Sequence, residues 1–201
     1  MDKNIIMKSP TKSNYKETLL FFRRWLRHPL RLGAVIPSSP ALTRLVCRQI
    51  ALKDDRIIVE LGAGTGCLTR MLIEMGIPHD RLYVLELDPE LCEYLKKTMP
   101  TLNIIQGNAC DLPSLLPPEW VGKVSTVVSG MPMTAMPKEV QRKIIDASFA
   151  VMDNEGELFQ YTYRPVSPLA ASQFGLSQTR VGVAFRNLPP ATVWRYQRLA
   201  A

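Results

Sequence analysis

The feature that most narrows the fold is an eight-residue stretch, Val59-Glu60-Leu61-Gly62-Ala63-Gly64-Thr65-Gly66, which ends a β-branched run and opens a helical one. Glycines at alternate positions permit a tight strand-to-helix turn and let a ligand approach the backbone. Such a turn implies an α/β domain and a nucleotide-like ligand. The dinucleotide fingerprint G-x-G-x-x-G would need a third glycine where Cys67 stands. Glu60 also puts a carboxylate where a pyrophosphate would be repelled, so a ligand with a cationic group suits the turn better.

The rest of the chain continues the alternation. Strands are predicted at residues 56–61, 81–87, 102–106, 124–128 and 157–163, and helices at 67–75, 89–99 and 138–152. Gly76 is placed to close the first helix, and Pro89 and Pro137 to open the next two. Residues 179–186 and 192–198 flank Asn187-Leu188-Pro189-Pro190-Ala191 and predict an antiparallel hairpin, while 165–175 predict a loop or short helix. The fold class expected is α/β: a mostly parallel seven-stranded sheet between helices, closed by that hairpin. A length of 201 residues suits one compact domain of ordinary size. The expected division is a helical extension at 1–50 and the main domain at 51–201.

The net charge of +7 is unevenly spread. Residues 1–48 hold ten basic and two acidic side chains, and the remaining 153 hold 15 and 16. An anionic partner is therefore expected at the N-terminal quarter. Residues 15–27 predict an amphipathic helix stopped by Pro29, with Tyr15, Thr18, Leu19, Phe21, Phe22, Trp25 and Leu26 on one face. Lys16, Arg23, Arg24 and Arg27 lie opposite. Such a helix either packs on the domain or lies in a membrane interface, and it can do both in turn, as a lid when docked and a lipid contact when displaced. No run of 18 apolar residues and no signal peptide is present, so the expected location is cytoplasmic, peripheral at the inner face of the membrane. Cys47, Cys67, Cys92 and Cys110 form no C-x-x-C pair and lie far from His28 and His79 in sequence, so no metal site is expected and the thiols should be reduced. Nothing in the sequence sets an oligomeric state.

Three later segments extend the site. Glu86, in Val84-Leu85-Glu86-Leu87-Asp88, stands at the distance beyond the glycines at which a carboxylate can accept hydrogen bonds from both hydroxyls of a ribose. Asp88 is expected to cap the helix that follows. Gln106-Gly107-Asn108-Ala109-Cys110-Asp111 follows the third strand, with Asp111 a loop or cap residue. Val127-Val128-Ser129-Gly130-Met131-Pro132-Met133 ends the fourth strand, where the substrate of an open α/β sheet should lie.

The pattern E-x-G-x-G-x-G at Glu60 to Gly66 resembles the first motif of class I S-adenosylmethionine (SAM) methyltransferases, whose fold is Rossmann-like. The resemblance implies SAM as cofactor. It assigns Glu60 to the methionine end, Gly62, Ala63, Gly64 and Gly66 to the nucleoside, and Glu86 and Leu87 to the ribose. Asn108 and Ala109 fall at the adenine, and Ser129 at the edge facing the substrate. Family members usually carry Asp where this chain has Asn108, whose amide oxygen can still accept from the adenine amino group. Methyltransferases of base amino groups carry Asn/Asp-x-Pro-aromatic at the fourth motif, the ring stacking on a flipped base. Ser129 and Met133 replace the polar anchor and the ring here, which disfavours a nucleic-acid acceptor.

Phe21-Phe22-Arg23-Arg24-Trp25-Leu26-Arg27-His28-Pro29-Leu30-Arg31-Leu32-Gly33-Ala34-Val35-Ile36-Pro37-Ser38-Ser39 resembles the N-terminal signature of soluble, membrane-associating bacterial phospholipid N-methyltransferases. Ser129-Gly130-Met131-Pro132 and Gln160-Tyr161-Thr162-Tyr163-Arg164-Pro165 are similar to that family's fourth motif and fifth-strand end. This implies methyl transfer to the amine of phosphatidylethanolamine or its methylated derivatives, with the phospholipid and an anionic membrane surface as partners. The candidate catalytic residues are then Tyr15, Tyr161 and Tyr163, any of whose phenols could accept a hydrogen bond from the amine, with Ser129 and the Gly130 carbonyl beside them. Arg31, Ser38, Ser39 and Arg164 are candidate donors to the lipid phosphate. Ser38 and Ser39 have a second reading as the cap of a helix over 41–50. Two other functions stay open: N-methylation of rRNA adenine or a small amine, and a SAM- or lipid-binding module without turnover.

Overall fold

The computed structural model describes residues 40–50, 56–186 and 189–199. The predicted helix over 15–27 lies outside them. Seven strands form one sheet: β1 (Ile57–Leu61), β2 (Leu82–Glu86), β3 (Asn103–Gln106), β4 (Val124–Ser129), β5 (Met152–Thr162), β6 (Leu176–Ala184) and β7 (Ala191–Arg198). Their order is β3-β2-β1-β4-β5-β7-β6, with β1 to β5 parallel and β7 antiparallel to both neighbours. The expected seven-stranded, mostly parallel sheet with a terminal hairpin is the observed one.

Both faces are covered. On one, α1 (Pro40–Cys47), α2 (Cys67–Glu74) and α3 (Pro89–Thr98) bury Leu42, Val46, Leu68, Leu72 and Leu95 against Ile58, Val84, Val128 and Phe159. On the other, α4 (Leu112–Leu115) and α5 (Lys138–Val151) bury Leu112, Ile144 and Ile145 against Val59, Leu85, Val127 and Leu158. Alternate residues of one strand therefore feed two cores, which is why β1, β2 and β4 are buried at every position and show no polar alternation. Leu42, Val46 and Cys47 sit in the same cluster as Phe159 and Val193, so residues 40–47, placed with the extension by the sequence division, help to form the core.

Two strand starts differ from the sequence expectation by more than one residue. β5 begins at Met152, directly after α5, rather than at 157. Asp153-Asn154-Glu155-Gly156 reads as turn chemistry, but the ladder absorbs it as an irregularity between the Val124–Met152 and Thr126–Glu157 pairs. β6 begins at Leu176, immediately after Gly175 closes a short 3-10 turn (Ala171–Phe174), rather than at 179.

Candidate active site

Because β1 to β5 run parallel, all the predicted motifs leave the sheet at one edge. The strand order reverses between β1 and β4, and a crevice for ligands opens at such a reversal.

The β1–β3 end is built from backbone turns held by carboxylates. Gly64 sits at φ 59°, and a side chain built there would meet nothing within 4 Å, so the turn is open on the ligand side. Its N–H donates to Glu86 Oε2 at 2.8 Å, while the Asp88 N–H donates to Glu86 Oε1 at 2.9 Å. Glu86 is fully buried, and its carboxyl is pushed up from the ordinary range by that burial against the pull of these N–H donors. The carboxylate expected to face a ribose thus also fastens the end of β2 to the glycine turn, one lone pair on each oxygen already committed. Leu87 beside it is half-buried. Asp88 caps α3, accepting from the Glu90 and Leu91 N–H groups at 2.9 and 3.3 Å.

Glu60 is buried on the same sheet face as Glu86 and accepts a hydrogen bond from Thr69 Oγ1 at 2.7 Å. Its carboxyl is pushed up to about 7. Burial is the main cause; the Thr69 hydroxyl opposes it, Glu86 adds to it and Arg70 opposes it. Asn108 spends its amide oxygen on the Cys110 N–H at 3.0 Å, capping a short 3-10 turn (Ala109–Asp111), and Ala109 is buried in the core beneath. The Asn108 oxygen expected at an adenine is therefore part of the loop's own turn, with its second lone pair left for a ligand. Asp111 ends that turn, where its backbone oxygen accepts from Ser114 Oγ at 2.8 Å.

The β4–β5 end is built from apolar packing and buried amides. Ser129 is buried, and its hydroxyl accepts from the Met131 N–H at 3.2 Å, so it shapes the loop from within. A Cβ on Gly130 would collide with the hydroxyl and ring of Tyr161, so only glycine lets the β4 loop lie against that phenol. Tyr163 follows on the same face of β5, one residue past its end, and Arg164 is exposed at the same exit. The Met131 side chain comes within 2.7 Å of the Cβ position of Gly62, which interlocks the β1 and β4 loops. Met131, Met133 and Met136 are all buried.

Two glutamines that sequence reasoning passed over as site residues hold this loop. Gln160 Nε2 donates to the Met131 carbonyl at 2.9 Å and to the Tyr161 carbonyl at 3.0 Å; Gln141 Nε2 donates to the Met136 carbonyl at 2.9 Å. Both side chains are almost fully buried. The signal for Gln141 was its helical phase: it shares a buried face of α5 with Ile144, Ile145 and Ser148, where an amide needs a partner. Tyr15, Arg31, Ser38 and Ser39 lie outside the described residues. Among the described residues no cluster of three His, Cys, Asp or Glu could hold a metal, and all four cysteines are free.

The donor set fits SAM: an open Gly64 turn for a nucleoside, a buried Glu60 to balance a cationic end, and Glu86 with spare lone pairs. The chain is 31% identical to an ornithine lipid N-methyltransferase of Singulisphaera acidiphila over 88% of this chain and 93% of that protein. It belongs to the class I SAM-dependent methyltransferases. A family model described as ribosomal RNA adenine dimethylase matches residues 31–115 of this methyltransferase. That span contains the glycine turn, Glu86 and Asn108 and stops before Ser129. A ribosomal RNA small subunit methyltransferase A of Chlorobaculum parvum is 28% identical over 58% of this chain, and the match spans only 39% of that protein. Among solved structures, a precorrin-6y C5,15-methyltransferase from Geobacter metallireducens superposes with TM-score 0.62 at 16% identity, covering 83% of this chain and 94% of that one. That likeness establishes the Rossmann-like methyltransferase fold. The enzyme class and its SAM cofactor follow, as the glycine motif implied.

Proposed function

We propose that this methyltransferase transfers methyl groups to the amine nitrogen of a membrane lipid headgroup, phosphatidylethanolamine or an ornithine lipid, at an anionic membrane surface. The observation that carries this reading is the Tyr161 phenol held against Gly130 in a loop whose other side chains, Met131 and Met133, are buried and apolar. Residues 129–133, Ser-Gly-Met-Pro-Met, contain neither the Asn or Asp anchor nor the aromatic of the base-methylating motif, whereas a small amine needs one acceptor and a dry wall. The lipid-acting relative aligns along nearly the whole chain, while the ribosomal RNA relative named above aligns over 39% of its own length.

SAM, when bound, supplies a methyl group on a positively charged sulfur. The chain's own residues must deliver the acceptor as a neutral amine. An alkylamine of pKa about 10.4 is neutral in only about one molecule in 10³ to 10⁴ near pH 7, a handicap of roughly 4 to 5 kcal/mol. The methionine-lined loop disfavours the ammonium form by denying it water. Tyr161 accepts a hydrogen bond from the amine, the Gly130 carbonyl is a second acceptor, and Tyr163 or Tyr15 serves the same role if the headgroup lies higher. Ser129 acts through the loop it shapes. Glu60 and Glu86, with the backbone of Gly62 to Gly66, Leu87, Asn108 and Ala109, hold the cofactor. Arg164 at the exit of β5, with Arg31, Ser38 and Ser39, pairs with the headgroup's anionic group. The N-terminal segment adds the reversible membrane contact, each Lys or Arg near anionic lipid contributing about 1 kcal/mol.

Incubation with labelled SAM and, in separate arms, phosphatidylethanolamine vesicles, ornithine-lipid vesicles, small amines and ribosomal RNA, followed by chromatography, tests this. Label in a lipid band is expected; label only in RNA, only in a small amine, or in no acceptor despite SAM binding would refute it.

A further inference from the structure

The β6–β7 end of the sheet carries a second basic and apolar feature that neither the cofactor site nor the N-terminal segment uses. Residues 158–201 contain five arginines and no Asp or Glu. Arg195 is 3.2 Å from Glu157, and Arg198 lies 5.5 Å over the Phe149 ring. Arg164, Arg180 and Arg186 have no acidic partner among the described residues.

The topology decides where two of these point their charge. Thr162, at the end of β5, pairs with Thr192, and Ala184, at the end of β6, pairs with Ala191. The turn between β6 and β7 therefore opens at the edge to which the Gly64 turn, Gly130 and Tyr161 belong. Phe185 and Arg186 stand at that turn, Phe185 79% exposed; Arg164 and Val166 stand just beyond β5, Val166 61% exposed. A lone exposed apolar residue is ordinary. Two exposed apolar residues and two arginines without an acidic partner among the described residues, all at the edge to which the crevice opens, match an anionic interface, where rings sink to the headgroup level and cations pair with lipid phosphates.

We propose that this rim, with Phe185 and Arg186 at its centre, docks on an anionic lipid bilayer and turns the acceptor crevice toward the headgroups. It rests on the lipid reading for its purpose, though not for its observations. Phe185 and Arg186 directly follow β6, so docking there sets the orientation of the crevice as well as the residence of the protein.

The test uses the full chain with vesicles of phosphatidylcholine and phosphatidylglycerol, which contain no amine substrate. In F185W, the added indole emission should shift blue on vesicle binding and be quenched by lipids brominated in their acyl chains. The pair F185S and R186E should weaken vesicle binding at least about tenfold, given roughly fivefold per cation, while methyl transfer to acceptor dispersed in detergent stays at the wild-type rate. An indole at position 185 that remains in water while the protein is bound, or F185S/R186E binding vesicles like the wild type, would overturn the proposal. So would saturable RNA binding through the same two residues with no vesicle binding. If instead the indole enters the bilayer but no lipid is ever methylated, the docking surface stands and the acceptor assignment falls.

Discussion

The two ends of the crevice are made differently. At the β1–β3 end two acids are buried: Glu86 accepts from the Gly64 and Asp88 backbone N–H groups, and Glu60 accepts from the Thr69 hydroxyl. At the β4–β5 end, neutral amides do the holding: Gln160 and Gln141 donate to the carbonyls of Met131 and Met136, whose side chains are buried, and the Tyr161 phenol lies against Gly130. In the proposed reading the first end takes the cationic cofactor and the second an amine that must lose its charge. The β1–β3 end therefore carries what is common to the enzyme class, and in the proposed reading the β4–β5 end selects what is methylated. The ribosomal RNA adenine dimethylase model, which stops at residue 115, covers the donor end alone.

The sharpest way to break this contrast is titration of Glu60. Its carboxyl is raised in the folded state from 4.5 to about 7, so the stability associated with its protonated form is complete below about pH 4.5 and is lost as pH rises through 7. The cofactor-free protein should lose roughly 3 kcal/mol across that window. Glu60→Gln should flatten this dependence in urea unfolding at pH 5 and pH 8 while weakening SAM binding; equal slopes for both proteins would show that the carboxyl is not the buried acid described.

Next in size, Gly130→Ala drives the loop off Tyr161. Methyl transfer should fall about 10²-fold, the usual cost of a 1 Å misplacement, with SAM affinity by calorimetry within about twofold of the wild type. A matching loss of SAM affinity would mean that the two ends are not separable. Glu86→Gln puts an amide N–H against a backbone donor, and SAM binding should weaken about tenfold with acceptor KM unchanged. The smallest effect is expected from Gln141→Met. It leaves the Met136 carbonyl without its donor but also removes Gln141 Oε1, which is buried and has no partner, so thermal unfolding should report a change under about 1 kcal/mol.

Much of this molecule was legible in its sequence, for local reasons. The glycine turn, the Pro89 and Pro137 helix starts and the β-branched runs each act within a few residues, and the helices over Cys67–Glu74, Pro89–Thr98 and Lys138–Val151 appear within a residue of their expected ends. Asp88 as a helix cap is likewise a local matter. Glu86 and Gln160 were not legible in full, because their partners, Gly64 and Met131, are 22 and 29 residues away in the chain. The start of β5 was missed for the same reason: residues 153–156 do form a local turn, with the Glu155 N–H donating to Asp153 Oδ1 at 3.0 Å, but Met152 before them pairs with Val124 of β4.

Local chemistry alone thus determined that the chain is an α/β protein with a glycine turn after its first strand and a Gly-Met-Pro loop after its fourth, because backbone preference and short-range capping need no distant partner. Only tertiary structure decided that Tyr161 lies on Gly130, that two buried amides brace the methionine loop, and that Phe185 and Arg186 share an edge with the crevice. Those arrangements depend on strand order and register, which bring together residues from separate motifs and are not encoded in any one of them.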